Sequence, residues 1–180
     1  MSSTHAHPAQ PIKPTAMSAD EFVATFGALY EHSPWVAERT FVNGLNPDCE
    51  RLDGLAEAMS QTLRAATRQE KLALIKAHPD LAGKAAAAGT LTNESNDEQS
   101  SAGLDQCTPE ELARFHELNN AYKAKFEFPF IMAVKDSNRH LILAAFEKRI
   151  HNSTENEFNT AIDEINKIAR LRLKPYFLNE

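Results

Sequence analysis

Three stretches of this chain carry side chains of the kinds that move protons or hold small polar ligands. The first is His78-Pro79-Asp80-Leu81-Ala82-Gly83-Lys84. An imidazole exchanges protons near neutral pH without a special environment. The residue before a proline is kept out of the α region, so His78 ends a helix in a stiff turn that fixes its ring. The helix dipole there favours the imidazolium, and plain helix capping is the competing reading. The second stretch runs Thr92-Asn93-Glu94-Ser95-Asn96-Asp97-Glu98-Gln99-Ser100-Ser101. Amides at a helix N-terminus, with Ser and Gln side chains, suit an anionic or urea-like ligand, although a Ser95 that caps its own helix is partly occupied. The third is Phe126-Glu127-Phe128-Pro129-Phe130-Ile131-Met132. Aromatics around a proline read as core. An extended backbone among helices, however, leaves N–H and C=O groups without ladder partners, and these can read the amides of a planar ring.

Arginines supply the remaining chemistry. Arg149 follows Ala145 and Phe146 by four and three positions, and Arg172 follows Ile168 by four. Both therefore project toward apolar faces, where an unpaired guanidinium is costly. Each either pairs with a buried glutamate or offers its planar fork to a ligand carboxylate.

The elements that must position these groups are helical. Ser18/Glu21, Thr67/Glu70, Ser95/Glu98, Thr108/Glu111 and Thr154/Glu157 all have capping-box spacing, and Pro109 adds a favourable first helical position. Apolar residues then recur at helical intervals: Phe22, Phe26, Leu29 and Tyr30; Leu52, Leu55, Ala56, Met59 and Leu63; Leu112, Phe115, Leu118, Tyr122 and Phe126. Ile142, Ala145 and Phe146 make another stripe, and Phe158, Ala161, Ile162, Ile165, Ile168 and Ala169 the last. Only Phe128-Pro129-Phe130-Ile131-Met132-Ala133-Val134 looks extended, and its proline argues against a central strand. The expectation is an all-α, single-domain, multi-helix bundle over residues 18–180. Residues 1–17, poor in large apolar side chains, are expected as a disordered tail. The His5-x-His7 pair in that tail has nothing around it to orient a metal.

Composition narrows the class further. At 180 residues, with 42% hydrophobic and 24% charged residues, the chain has material for one ordinary core. A net charge of −6 argues against a general nucleic-acid binder. No apolar run approaches the roughly 18 residues of a membrane span, and the N-terminus lacks a signal-peptide core. Cys49 and Cys107 stand far apart, which disfavours a disulfide framework or a cysteine zinc site and fits the cytoplasm.

Taken in order, several segments resemble one family. Tyr30-Glu31-His32-Ser33-Pro34-Trp35-Val36-Ala37 resembles the opening signature of the 2-oxo-4-hydroxy-4-carboxy-5-ureidoimidazoline (OHCU) decarboxylases. The His78-Pro79-Asp80-Leu81-Ala82-Gly83 run, Ser95-x-x-Glu98-Gln99 with Ala102-Gly103-Leu104, Lys125-Phe126-x-Phe128-Pro129-Phe130-Ile131, and Ile168-Ala169-Arg170-Leu171-Arg172-Leu173 follow in the family's order. The resemblance implies an all-α enzyme of urate degradation that releases CO2 to give (S)-allantoin. It also implies no metal or organic cofactor, and a homodimer. It implies His78 as catalytic acid/base, and Pro79, Ser95, Asn96, Asp97, Glu98, Gln99, Phe128, Pro129, Phe130, Ile131, Met132 and an arginine of the last helix as substrate residues. That arginine is assigned to Arg172, with Arg170 and Arg149 as alternatives. Two positions depart from the family pattern: Glu127 stands where glycine is common, and Met132 where a β-branched residue is common.

Such a substrate carries a hydroxyl and a carboxylate on one ring carbon, beside a C=N. The C=N receives the electron pair left by CO2, so the substrate is its own sink. Rival readings are a helical interaction module, a hydrolase of another ureide, and a carboxylate-bridged metal bundle. The last needs Glu-x-x-His spacing, which the sequence lacks.

Overall fold

Ser18, Thr67 and Thr108 each stand immediately before a helix in the computed structural model of the chain, which describes residues 11–177. Ser18 opens α1 (Ala19–Phe26) and Thr67 opens α4 (Arg68–Ala77), both with reciprocal capping boxes to Glu21 and Glu70. Between them lie α2 (Trp35–Val42) and α3 (Leu52–Arg64). The short α5 (Lys84–Ala88) and α6 (Asn93–Ser101) follow, then α7 (Pro109–Phe126), α8 (Arg139–Arg149) and α9 (Thr154–Leu173). No strand occurs among the described residues, and the fold is all-α as expected.

Three of the expected capping boxes are corrected. Thr108 caps α7 by accepting from the Glu111 N–H, but the Glu111 side chain pairs with Arg139 instead of returning to the cap. Thr92, not Ser95, caps α6, accepting from the Ser95 N–H. Ser153, not Thr154, caps α9, because Glu157 is withdrawn into the core by Arg149. Part of the segment expected as a tail is described. Residues 1–10, with His5 and His7, lie outside the described residues, whereas Pro14–Ala16 forms a 3₁₀ turn with Pro14 buried. The Thr15 N–H donates to Glu50 Oε1 at 2.9 Å and the Thr15 hydroxyl donates to the same oxygen, so a short segment is held by two hydrogen bonds and one buried ring.

The long helix α9 organises the bundle. Its buried residues Phe158, Ala161, Ile162, Ile165, Ile168, Ala169 and Leu173 recur every three or four positions, giving a stripe that α3, α4 and α7 cover. The segment after α7 is extended but pairs with no strand. Phe128, Phe130 and Ile131 are buried, and the Phe130 ring stacks on Phe146 with centroids 3.9 Å apart. The Phe130 ring also meets Tyr122 edge-on at 5.4 Å.

Glu127 ends α7 with φ 64° and ψ 19°, a left-handed cap that glycine occupies without strain. This explains why glycine suits the position. Glu127→Gly removes a conformational cost of about 1–2 kcal/mol, of which roughly half is offset by the freer unfolded chain. The variant should unfold at higher urea concentration than the parent, and a lower midpoint would contradict the strain.

Candidate active site

His78 is the C-cap of α4, with β-region dihedrals (φ −73°, ψ 139°) that Pro79 enforces. The turn that follows is tightly braced. Gln99 Oε1 accepts from the Ala82 N–H at 3.0 Å, and Gln99 Nε2 donates to the Asp80 carbonyl at 3.4 Å. Asn119 Nδ2 donates to the Leu81 carbonyl at 2.9 Å, and Lys123 pairs with Asp80 at 2.5 Å. Gly83 completes the turn because a Cβ there would lie 2.6 Å from Asp80 Cβ. A braced turn on a capped helix holds the imidazole in one place.

Around that imidazole lies a small cavity lined by His78, Pro79, Leu81, Ser95, Glu98, Gln99, Phe130, Ile131, Met132, Val134 and Ile168. Residues from α4, α6, α9 and the extended segment, distant in sequence, therefore share one wall. His78 is buried, and its Nε2 has no hydrogen-bond partner in the structure. Burial is the main force on its basicity. Together with Arg172 and His32, and against the pull of Glu31, it lowers the imidazole pKa to about 4. The expected imidazolium is thus corrected: desolvation outweighs the helix dipole, and the ring is neutral at neutral pH.

Beside the cavity is a chain of charges. Arg172 Nε donates to Glu98 Oε1 at 2.7 Å and Nη2 to Glu98 Oε2 at 3.1 Å, a bidentate pair. Its Nη1 donates to Glu31 Oε2 at 2.8 Å and to the Leu29 carbonyl at 3.4 Å, and Nη2 also reaches Ser95 Oγ at 3.3 Å. Glu31 Oε1 accepts from Thr92 Oγ1 at 2.8 Å and Ser95 Oγ at 3.1 Å. Burial pushes the Glu31 carboxyl up, but Arg172 and the Thr92 hydroxyl outweigh it, and its pKa lies below the ordinary carboxylate value.

The structure thus brings together His78, Pro79, Ser95, Glu98, Gln99, Phe130, Ile131 and Met132, with Arg172 one layer behind Ser95 and Glu98. It does not bring Asn96 and Asp97, which are exposed on the far side of α6, since neighbours in a helix point about 100° apart. Phe128 and Pro129 are buried away from the cavity, Phe128 against Tyr122, Phe126 and Phe158. Of the alternative arginines, Arg170 makes an exposed pair with Asp53 at 2.6 Å. Arg149 is a core residue bound to Glu157 at 2.9 Å and to the Ile131 carbonyl at 2.7 Å. Sequence reasoning missed Leu81, Val134, Ile168 and above all Glu31. A signal for Glu31 was present: a carboxylate ending the apolar stripe Phe22, Phe26, Leu29, Tyr30.

An all-helical chain that buries a neutral histidine beside a carboxylate-clamped arginine is equipped to move protons on a small polar ligand. Comparison with known proteins agrees. Residues 15–174 match the family model for OHCU decarboxylase. The decarboxylase of that name from Halalkalicoccus jeotgali is 45% identical over 155 residues, covering 86% of this chain and 84% of its own. The one from Xenopus laevis is 34% identical over 165 residues, covering 92% and 93%. Among solved structures, an (S)-allantoin synthase superposes with a TM-score of 0.71 at 31% identity; the match covers 91% of this chain and 52% of that one. A crystal structure of OHCU decarboxylase in the presence of (S)-allantoin has a TM-score of 0.65 at 22% identity, over 89% of this chain and 99% of that one, which speaks to the fold. The chain belongs to the OHCU decarboxylase family, whose members are carboxy-lyases.

Proposed function

We propose that this protein decarboxylates OHCU to (S)-allantoin and CO2 in urate degradation, without a cofactor and with His78 as the proton carrier. The observation that carries this is the buried, unpartnered Nε2 of His78 on a cavity shared with Ser95, Glu98 and Gln99. As the carbon–carboxylate bond breaks, its electron pair passes into the neighbouring C=N and CO2 leaves. The hydroxyl proton must then depart and a proton must reach the ureido-bearing carbon. A neutral imidazole begins as the acceptor, takes the hydroxyl proton and can return it at that carbon, while the ring nitrogen that received the electron pair takes one further proton from solvent, the proton that loss of CO2 from a carboxylate consumes. Fixed on one side of the cavity, it delivers that proton to one face and sets the chirality.

Glu98 has both oxygens on Arg172, and its remaining lone pairs receive ureido or ring N–H groups. Gln99 gives one N–H to Asp80 and keeps another for the ureido oxygen. Backbone groups around Phe130 and Met132 read the ring amide. The proposal includes a homodimer in the cytoplasm. No helix among the described residues is long and apolar enough to cross a membrane.

The test generates OHCU in situ from urate and follows circular dichroism of allantoin, in the presence of EDTA. Spontaneous decay gives a racemate, so a lasting signal of the (S) form is expected only with the enzyme. Release of ammonia or urea instead of CO2 would replace this reading with that of a ureide hydrolase.

A further inference from the structure

Glu31 is 2% exposed, and no step of the reaction outlined above uses it. It lies in the turn between α1 and α2, where Ser33 Oγ donates to its carbonyl at 2.9 Å and His32 adopts φ 48°. A histidine in left-handed backbone is strained, and the strain is localised next to the side chain that the turn aims inward. The carboxylate ends between Arg172, Thr92 and Ser95.

The count of donors at Arg172 gives this placement its meaning. Every N–H of the guanidinium already meets a protein acceptor: Nε and Nη2 on Glu98, Nη2 also on Ser95, and Nη1 on Glu31 and the Leu29 carbonyl. Arg172 does not line the cavity; Ser95 and Glu98 do. Its side chain is 5% exposed, that of Glu31 2% and that of Glu98 15%. Two carboxylates against one guanidinium leave this wall with one net negative charge.

We propose that Glu31 is a positioning residue for the decarboxylation. It ties Arg172 to the scaffold, so that the arginine orients Glu98 and Ser95 instead of gripping the substrate's carboxylate. The inference rests on the decarboxylase reading and refines it. A guanidinium bound tightly to the departing carboxylate stabilises the ground state and slows CO2 loss, because that charge disperses into the ring as CO2 departs neutral. With Glu31 in place the wall facing the carboxylate is negative, and this favours the charge-dispersed transition state. With Glu31 neutralised, Nη1 loses its anionic anchor and the wall loses its excess charge.

The experiment measures kcat and KM separately for the wild type, Glu31→Gln and Glu31→Asp, with a thermal melt of each. One unit charge at roughly 10 Å and an effective dielectric near 20 is worth about a tenfold factor. Glu31→Gln should therefore lower kcat about tenfold with KM unchanged or lower, and Glu31→Asp, which restores the charge, should recover part of kcat. A purely structural role would lower the melting temperature and leave kcat per folded molecule intact, which overturns the inference. So would a rise in KM at constant kcat, since Arg172 would then hold the ground state. Should Glu31→Gln not fold, Glu31→Asp decides: its side chain is too short to reach Arg172 and Thr92 together, and wild-type kcat in it defeats the proposal. A wild type silent in the dichroism assay brings down the decarboxylase reading and this inference with it. An active wild type with an unaltered Glu31→Gln brings down the inference alone.

Discussion

Replacing His78 by asparagine lowers turnover by roughly 10² to 10⁴ while the chain stays folded, because general acid–base catalysis is worth about that much. Asparagine preserves a polar group before Pro79 but cannot titrate. The pH behaviour makes the prediction sharper. Burial lowers the imidazole pKa to about 4, with Glu31 opposing and Arg172 and His32 assisting. In the unfolded chain the same group titrates near about 6.5. Between these values the unfolded chain binds a proton that the folded chain refuses, so stability falls as pH drops through that window. Its steepest slope is about 1.4 kcal/mol per pH unit. His78→Asn removes this term, so melting temperatures of the variant should depend less on pH between about 6.5 and 4. The variant is expected to be slow yet less acid-sensitive, a pair of effects that a plain helix cap would not produce. Near-normal turnover in the folded variant would sink the role of His78.

The largest effect on stability should come from Arg149→Met. Glu157 is fully buried and accepts from Tyr122 Oη at 2.6 Å, Arg149 Nε at 2.9 Å and Asn152 Nδ2 at 3.0 Å. Arg149 also covers the Phe130 ring at 4.2 Å and holds the Ile131 carbonyl. Methionine fills much of the volume but leaves a buried carboxylate without its counter-charge. Breaking such a pair costs about 3–5 kcal/mol. In a chain of this size that corresponds to a fall in Tm of roughly 6 to 20 °C. Adding Glu157→Gln should recover part of the loss, since the orphaned charge goes with it. Activity should fall as well, because Ile131 belongs to the cavity wall. A melting curve within about 1 kcal/mol of the parent would show that the pair contributes little.

The helices were legible because local rules act within a few residues. Ser18, Thr67 and Thr108 cap as their spacing says, and the period of α9 marks its buried face. The errors share one cause, tertiary competition for a side chain. Glu157 has the right spacing to close a capping box, but Arg149 and Tyr122 claim it. Ser95 gives its hydroxyl to Glu31, a residue 64 positions away. Within the candidate site, His78, Glu98 and Gln99, singled out from the ordered motifs, line one cavity. Asn96 and Asp97 were included as neighbours in sequence, although helical geometry turns them outward. Which way His78 titrates depends on how deeply the ring is buried, and no local pattern carries that information.

The cavity beside His78 measures about 20 Å³. On that measure a single water needs roughly 10–15 Å³, so a ligand the size of an imidazoline with its ureido arm fits between these walls only where they part. Substrate capture is therefore a population problem as well as a contact problem. Only the fraction of molecules with a parted wall can bind, and the measured Kd equals the intrinsic value divided by that fraction. Substitutions that loosen the braced turn after Pro79 can thus raise apparent affinity while degrading the alignment of His78. Those that tighten it act in the opposite sense. The frequency of opening sets a ceiling on the association rate, however favourable the chemistry inside.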